Sequence, residues 1–118
     1  MGANKHAKGV QGEDMAVEYL KKKGYRIIER NFRFERGEVD VVAEDGDALV
    51  FIEVKSRRSK SFGAPHEAVT RKKQMQIRKV AGGYLFEKEV GDHYCRFDII
   101  AIQYSGDSVK IEHFEDAF

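Results

Sequence analysis

Cysteine, proline and long apolar runs are all scarce in this sequence. Its 118 residues include one cysteine and one proline. The lone Cys95 can form no internal disulfide, and it excludes the paired-cysteine patterns of zinc ribbons and thiol oxidoreductases. The longest apolar run, Ala48 to Ile52, is far too short to cross a bilayer. The opening residues MGANKHAKGV lack the apolar stretch of a secretory signal. No repeat and no low-complexity linker divides the chain. The expectation is a cytoplasmic protein with no membrane association: a single domain over 9–118 behind a polar, disordered tail over 1–8. The composition, 42% hydrophobic and 35% charged, is that of a soluble globular domain able to bury one core.

A one-sided charge is also missing. The formal net charge is +1, but it averages unlike segments. Between Lys55 and Lys79 nine basic residues face Glu67 alone, whereas the flanking stretches 1–54 and 80–118 are both net acidic. Lysine and arginine at that density fit a phosphate-backbone footprint. A solvated face explains an isolated run equally well, and it is the position of this one that matters.

Periodicity gives the elements. Gly9 to Lys23 reads as a helix stopped by Gly24. Tyr25–Phe34, Gly37–Glu44 and Ala48–Ser56 read as strands, the last two joined across the Asp45-Gly46 hairpin signal. The unbroken apolar stretch of the third strand predicts a central position buried on both sides. Pro65 can open a short helical turn. Thr70 is placed to cap a helix from Arg71 to about Lys88, in which Ile77, Val80, Ala81, Tyr84 and Leu85 form one apolar face. Tyr94–Tyr104 and Ser108–Phe114 complete the strands. The order α-β-β-β-α-β-β implies an α/β fold, a mixed five-stranded sheet flanked by helices.

Several charged residues interrupt this apolar pattern. Alternation puts Glu53 and Lys55 on the same face as Leu49 and Phe51, with Val50, Ile52 and Val54 opposite. In the second strand Val39, Val41 and Ala43 are expected on one face and Glu38, Asp40 and Val42 on the other. The hairpin then brings Asp40 beside Glu53. Glu13 falls on the inward stripe of the first helix with Ala16, Val17 and Leu20, as a cap or as part of a site. Singly, each has an ordinary explanation: a surface salt pair, a strand-end residue, a cap. Together they would bury like charges at a cost of several kcal/mol per ion. A divalent cation offsets that cost. Mg²⁺, or Mn²⁺ in its place, suits a donor set of Asp40, Glu53 and the Val54 carbonyl. Lys55 can then orient a water or stabilise charge on a phosphate.

Gly37-Glu-Val-Asp40, followed after twelve residues by Glu53-Val-Lys55, resembles the PD-(D/E)xK motif of the restriction-endonuclease-like superfamily, with Val39 where the motif has proline. The chain more narrowly resembles the YraN family of small bacterial proteins. That likeness rests on Gly12-Glu13-x-x-Ala16-x-x-Tyr19-Leu20, Gly24-Tyr25-x-Ile27, Arg30-Asn31-x-Arg33, Phe51-Ile52-Glu53-Val54-Lys55, Glu67-Ala68-Val69 and Arg96-Phe97-Asp98-Ile99. The family is similar to archaeal Holliday-junction resolvases. The resemblance implies a restriction-endonuclease-like fold and catalytic positions at Glu13, Asp40, Glu53 and Lys55.

The expected activity is metal-assisted hydrolysis of a nucleic-acid phosphodiester, DNA before RNA. Arg57, Arg58, Lys60, Arg71, Lys72 and Lys73 are expected to contact backbone phosphates. His66 and Gln76 are assigned surface roles, and Arg96 and Asp98 a structural pairing. Tyr19, Tyr25, Phe32, Phe34, Tyr84 and Phe97 are read as core. Few features suggest base readout, which favours selection by substrate shape. Junction resolution would need two sites, hence a homodimer. Two rivals stand beside the nuclease. One is a non-cutting nucleic-acid-binding module; the other is a protein-interaction domain whose charges form an ion-pair network.

Overall fold

The structure, a computed structural model, describes residues 5–57 and 69–118. Its elements are α1 (Lys5–Lys22), β1 (Arg26–Phe34), β2 (Gly37–Asp45), β3 (Ala48–Arg57), α2 (Arg71–Glu87), β4 (Cys95–Ser105) and β5 (Ser108–Phe114). This is the expected order. The turns follow local chemistry: Gly24 and Gly46 both have positive φ, the first ending α1 and the second turning β2 into β3. Thr70 caps α2, its hydroxyl accepting from the Lys73 N–H at 3.2 Å.

One boundary differs. The first helix begins at Lys5, not Gly9, so residues 5–8 belong to α1 and not to a disordered tail. A glycine inside a helix costs about 1 kcal/mol relative to alanine without stopping it, and no proline or strong cap intervenes.

The five strands form one sheet in chain order, β1-β2-β3-β4-β5. Neighbours are antiparallel except β3 and β4, which run parallel because α2 carries the chain back between them. Each face has its own core. Leu49 and Phe51 of β3 pack with Ile77, Val80, Ala81 and Tyr84 of α2. Val50 and Ile52 pack with Ala16, Val17 and Leu20 of α1. The central strand is therefore covered on both sides, as its continuous apolar run requires. Tyr25, Phe32, Tyr84 and Phe97 are buried, and Tyr19 and Phe34 pack against the two cores, so these rings serve packing. No helix among the described residues is long and apolar enough to cross a membrane.

The second strand departs from simple alternation. Val41 and Ala43 face α1, but Val39 packs with the α2-side cluster. The face changes at Asp40. Across from it, between the pairs Arg30↔Val41 and Phe32↔Val39, stands Asn31 with a left-handed φ of 54°. A left-handed residue breaks the period of two locally, and asparagine tolerates that conformation better than most.

Candidate active site

The sheet opens between its two central hairpin strands. Paired residues of β2 and β3 run from Asp45↔Ala48 only as far as Val41↔Ile52. Beyond that, β2 continues on β1 to Gly37 while β3 continues on β4 to Arg57. The two strands diverge, leaving backbone groups of β3 without a partner strand. Asp40 fills the gap: its Oδ2 accepts from the Val54 N–H at 2.8 Å. The N–H and C=O of one strand residue point to the same edge, so the Val54 carbonyl faces this opening too.

Glu53 lies on the α2 side of β3 and is 4% exposed. Lys55 shares its face, with Nζ 3.4 Å from Glu53 Oε2. Asp40 reaches the same carboxylate from β2. Burial first, and the Glu53 charge second, push the Asp40 carboxyl up to about 7; the bond from Val54 opposes the shift, and Glu38 adds to it. A group titrating near neutrality at an opening in a sheet is the kind of perturbation found at functional sites.

Glu13 approaches from α1. Gly12 lies against Ser56 of β3, and a Cβ there would collide with the Ser56 hydroxyl, so the missing side chain lets the helix settle at this end of the strand. With α1 starting at Lys5, Glu13 sits in the helix's third turn, too far along to cap it. Burial first, then the Asp40 charge, raise its carboxyl; a bond from Asn31 and the charge of Arg30, 3.6 Å away, work the other way. Glu13, Asp40 and Glu53 thus form a chain of interactions through the sheet opening. Among the described residues, no three or more His, Cys, Asp or Glu side chains are grouped to hold a metal ion. Asp40, Glu53 and the Val54 carbonyl remain a set of hard oxygen donors, with Glu13 acting on Asp40.

The basic residues divide. Arg71 and Lys72 are exposed at the start of α2, and Arg57 is half-buried at the end of β3. Arg58, Lys60 and His66 lie outside the described residues. Lys73, expected on the phosphate-binding surface with its neighbours, has its ammonium 3.8 Å from Glu53 Oε2. Its contact with Glu53, and those of Asn31 and Arg30 with Glu13, are what sequence reasoning had not placed at the site. Gln76 donates to the Arg36 carbonyl at 3.5 Å and ties α2 to the β1–β2 turn.

Arg96 and Asp98 are structural. The guanidinium donates to both Asp98 oxygens at 2.9 Å, to Asp45 at 2.9 Å and to the Tyr25 hydroxyl. His113 Nε2 is 2.7 Å from Asp98, and its Nδ1 is 3.0 Å from Lys23 Nζ. Through Asp45 this network is anchored at the hairpin-turn end of β2.

A family model described as "Uncharacterised protein family UPF0102" matches residues 12–102. A UPF0102 protein of Geobacter sulfurreducens is 53% identical over 111 residues, covering 93% of this chain and 87% of its own. Another, from Alkaliphilus oremlandii, is 49% identical over 112 residues, covering 93% of this chain and 96% of its own. A third, from Chlorobium limicola, is 49% identical over 124 residues, covering 100% and 96%.

Proposed function

The chain belongs to the UPF0102 family, and we propose that it is a metal-dependent endonuclease hydrolysing DNA phosphodiesters, of the PD-(D/E)xK, restriction-endonuclease-like type and the YraN branch within it. One observation carries this reading: Asp40 and Glu53 face each other where β2 and β3 part, with Lys55 on the same carboxylate.

The donor set fits a hard divalent cation. Burial first and the facing Glu53 charge second raise Asp40 toward neutrality, a carbonyl faces the same space, and Mg²⁺ would complete its shell with water and substrate oxygens. Asp40, Glu53 and the Val54 carbonyl would hold Mg²⁺ or Mn²⁺. Bound there, the ion would polarise the phosphate and lower the pKa of a coordinated water. Lys55 orients the attacking water and offsets charge on the phosphate. Glu13 would support the metal directly or through a water and, with its partners Arg30 and Asn31, forms the outer wall of the opening. Arg57, Arg58, Lys60, Arg71 and Lys72 bind backbone phosphates without reading bases, which suits substrates chosen by shape, such as flaps or junctions. A four-way junction would require a homodimer with two such sites. Cytoplasmic action accords with a single free cysteine, Cys95.

The test is cleavage of labelled duplex, single-stranded, flap and four-way-junction DNA with Mg²⁺ or Mn²⁺. Asp40→Asn and Lys55→Ala are each expected to lower the rate by about 10²–10³, the range for loss of one preorganised electrostatic group. Cutting that survives both substitutions, or none by the folded wild type, would refute the nuclease and leave a binding module.

A further inference from the structure

Two ammonium groups converge on one carboxylate oxygen. Lys55 Nζ lies 3.4 Å and Lys73 Nζ 3.8 Å from the same Glu53 Oε2. They come from different elements, Lys55 from β3 and Lys73 from the first turn of α2. Both side chains are about one-third exposed. Asp40 faces Glu53, so the two lysines balance two carboxylates in the metal-free protein, at a cost in side-chain entropy that part-exposed ion pairs repay poorly. The first turn of α2 is also an unfavourable place for cations, since the helix dipole repels them there. Arg71, Lys72 and Lys73 occupy that turn with no acid among them. Arg71 and Lys72 project into solvent, whereas Lys73 is held toward Glu53.

Resting on the nuclease reading, we propose that Lys73 is a second substrate-contacting lysine. It is held on Glu53 in the metal-free protein and released to the scissile phosphate when Glu53 gives its charge to a divalent cation. The charges balance. Two carboxylates neutralise one divalent cation, leaving Lys55 and Lys73 with two positive charges and no carboxylate partner. A phosphodiester brings one negative charge. As water adds to phosphorus and loses its proton, that becomes two; the bond from phosphorus to the leaving oxygen then breaks, and that oxygen takes up a proton. Two ammonium groups match the charge at its maximum, and one does not.

The experiment compares wild type, Lys73→Ala and Lys72→Ala by fluorescence anisotropy on a labelled flap DNA, in EDTA and in Ca²⁺. In Ca²⁺, Lys73→Ala is expected to weaken binding by about tenfold, as for loss of a charged hydrogen bond. Its salt slope should fall by about one. In EDTA it should match wild type, because Lys73 is then occupied by Glu53. Lys72→Ala should weaken both conditions alike. A Lys73→Ala loss that is equal in the two conditions, or absent in Ca²⁺, overturns the proposal. Mn²⁺ titration without DNA gives a second readout: removing a competing cation from Glu53 should tighten Mn²⁺ binding, and unchanged or weaker binding also overturns it. Lys73→Arg should restore metal-dependent DNA binding. None of these readouts needs turnover. Wild type that binds but does not cut sinks the nuclease reading and this inference with it; Lys73→Ala that cuts as well as wild type sinks this inference alone.

Discussion

Replacing Asp40 with asparagine should make the metal-free protein more stable, and increasingly so as pH rises. In the folded chain the Asp40 carboxyl titrates near 7, against 3.8 for the ordinary group. Between those values the native state holds a proton that the unfolded chain has lost. Stability therefore falls as pH rises through this window and levels off above it. From pH 5 to pH 8 the linkage relation removes roughly 2–3 kcal/mol from the wild type. Asparagine cannot ionise, yet its side-chain oxygen still accepts from the Val54 N–H. The stability gap between Asp40→Asn and wild type should thus widen by about that amount, or about 10 °C in Tm for a domain of this size. Thermal melts of both proteins in EDTA at pH 5 to 8 measure it, and the difference between them cancels the titration of groups that do not feel the Asp40 charge, leaving Asp40 with its neighbours Glu53 and Glu13. Saturating Mg²⁺ at pH 8 should raise the wild-type Tm and leave the variant nearly unmoved, because a ligand stabilises only the state that binds it. A variant less stable than wild type at pH 8, or a gap of constant width, would show that Asp40 is not strained against Glu53.

Three further outcomes follow from packing and pairing. Arg96→Leu strips the fully buried Asp98 of its guanidinium and should cost about 3–5 kcal/mol by urea melt at neutral pH. Burial works to raise the Asp98 carboxyl, but His113 and Arg96 hold it below 3.8, so their contribution is in place above that pH and is lost on acidification; variant and wild type should converge in acid. Gly83→Ala would drive a methyl group into the Phe34 ring and should destabilise by about 1–3 kcal/mol, measurable by the same melts. Thr70→Ala removes the cap of α2 and should cost about 1 kcal/mol while loosening the turn that carries Lys73, so its Ca²⁺-dependent DNA binding should weaken as well.

The elements were legible because their punctuation is local. Gly24, Asp45-Gly46 and Thr70 each mark a boundary through their own backbone or side-chain chemistry. The apolar run of β3 announces a strand covered on both faces. Glu53 and Lys55 could be placed together because they lie two residues apart on one strand, and Asp40 could be brought near them by a two-residue turn. Glu13's inward stripe was also readable, but its choice between cap and site was not, since Gly9 resembled a helix boundary that α1 runs straight through. The face change at Val39 coincides with the left-handed backbone of Asn31 opposite it on a different strand. Lys73 looked like one of three equivalent basic residues. Only the packing of α2 onto the sheet distinguishes it, and that is a tertiary fact invisible to sequence spacing.

The bond from Val54 to Asp40 gives position 40 two duties at once. Where β2 peels away, a side-chain oxygen stands in for the peptide carbonyl that a neighbouring strand would have offered. Asp40 is at the same time an ionisable group and a piece of surrogate backbone. Alanine there would delete a charge and orphan a main-chain donor together, whereas asparagine deletes the charge alone. The contrast between those two substitutions separates the chemistry of the site from the architecture that holds it open.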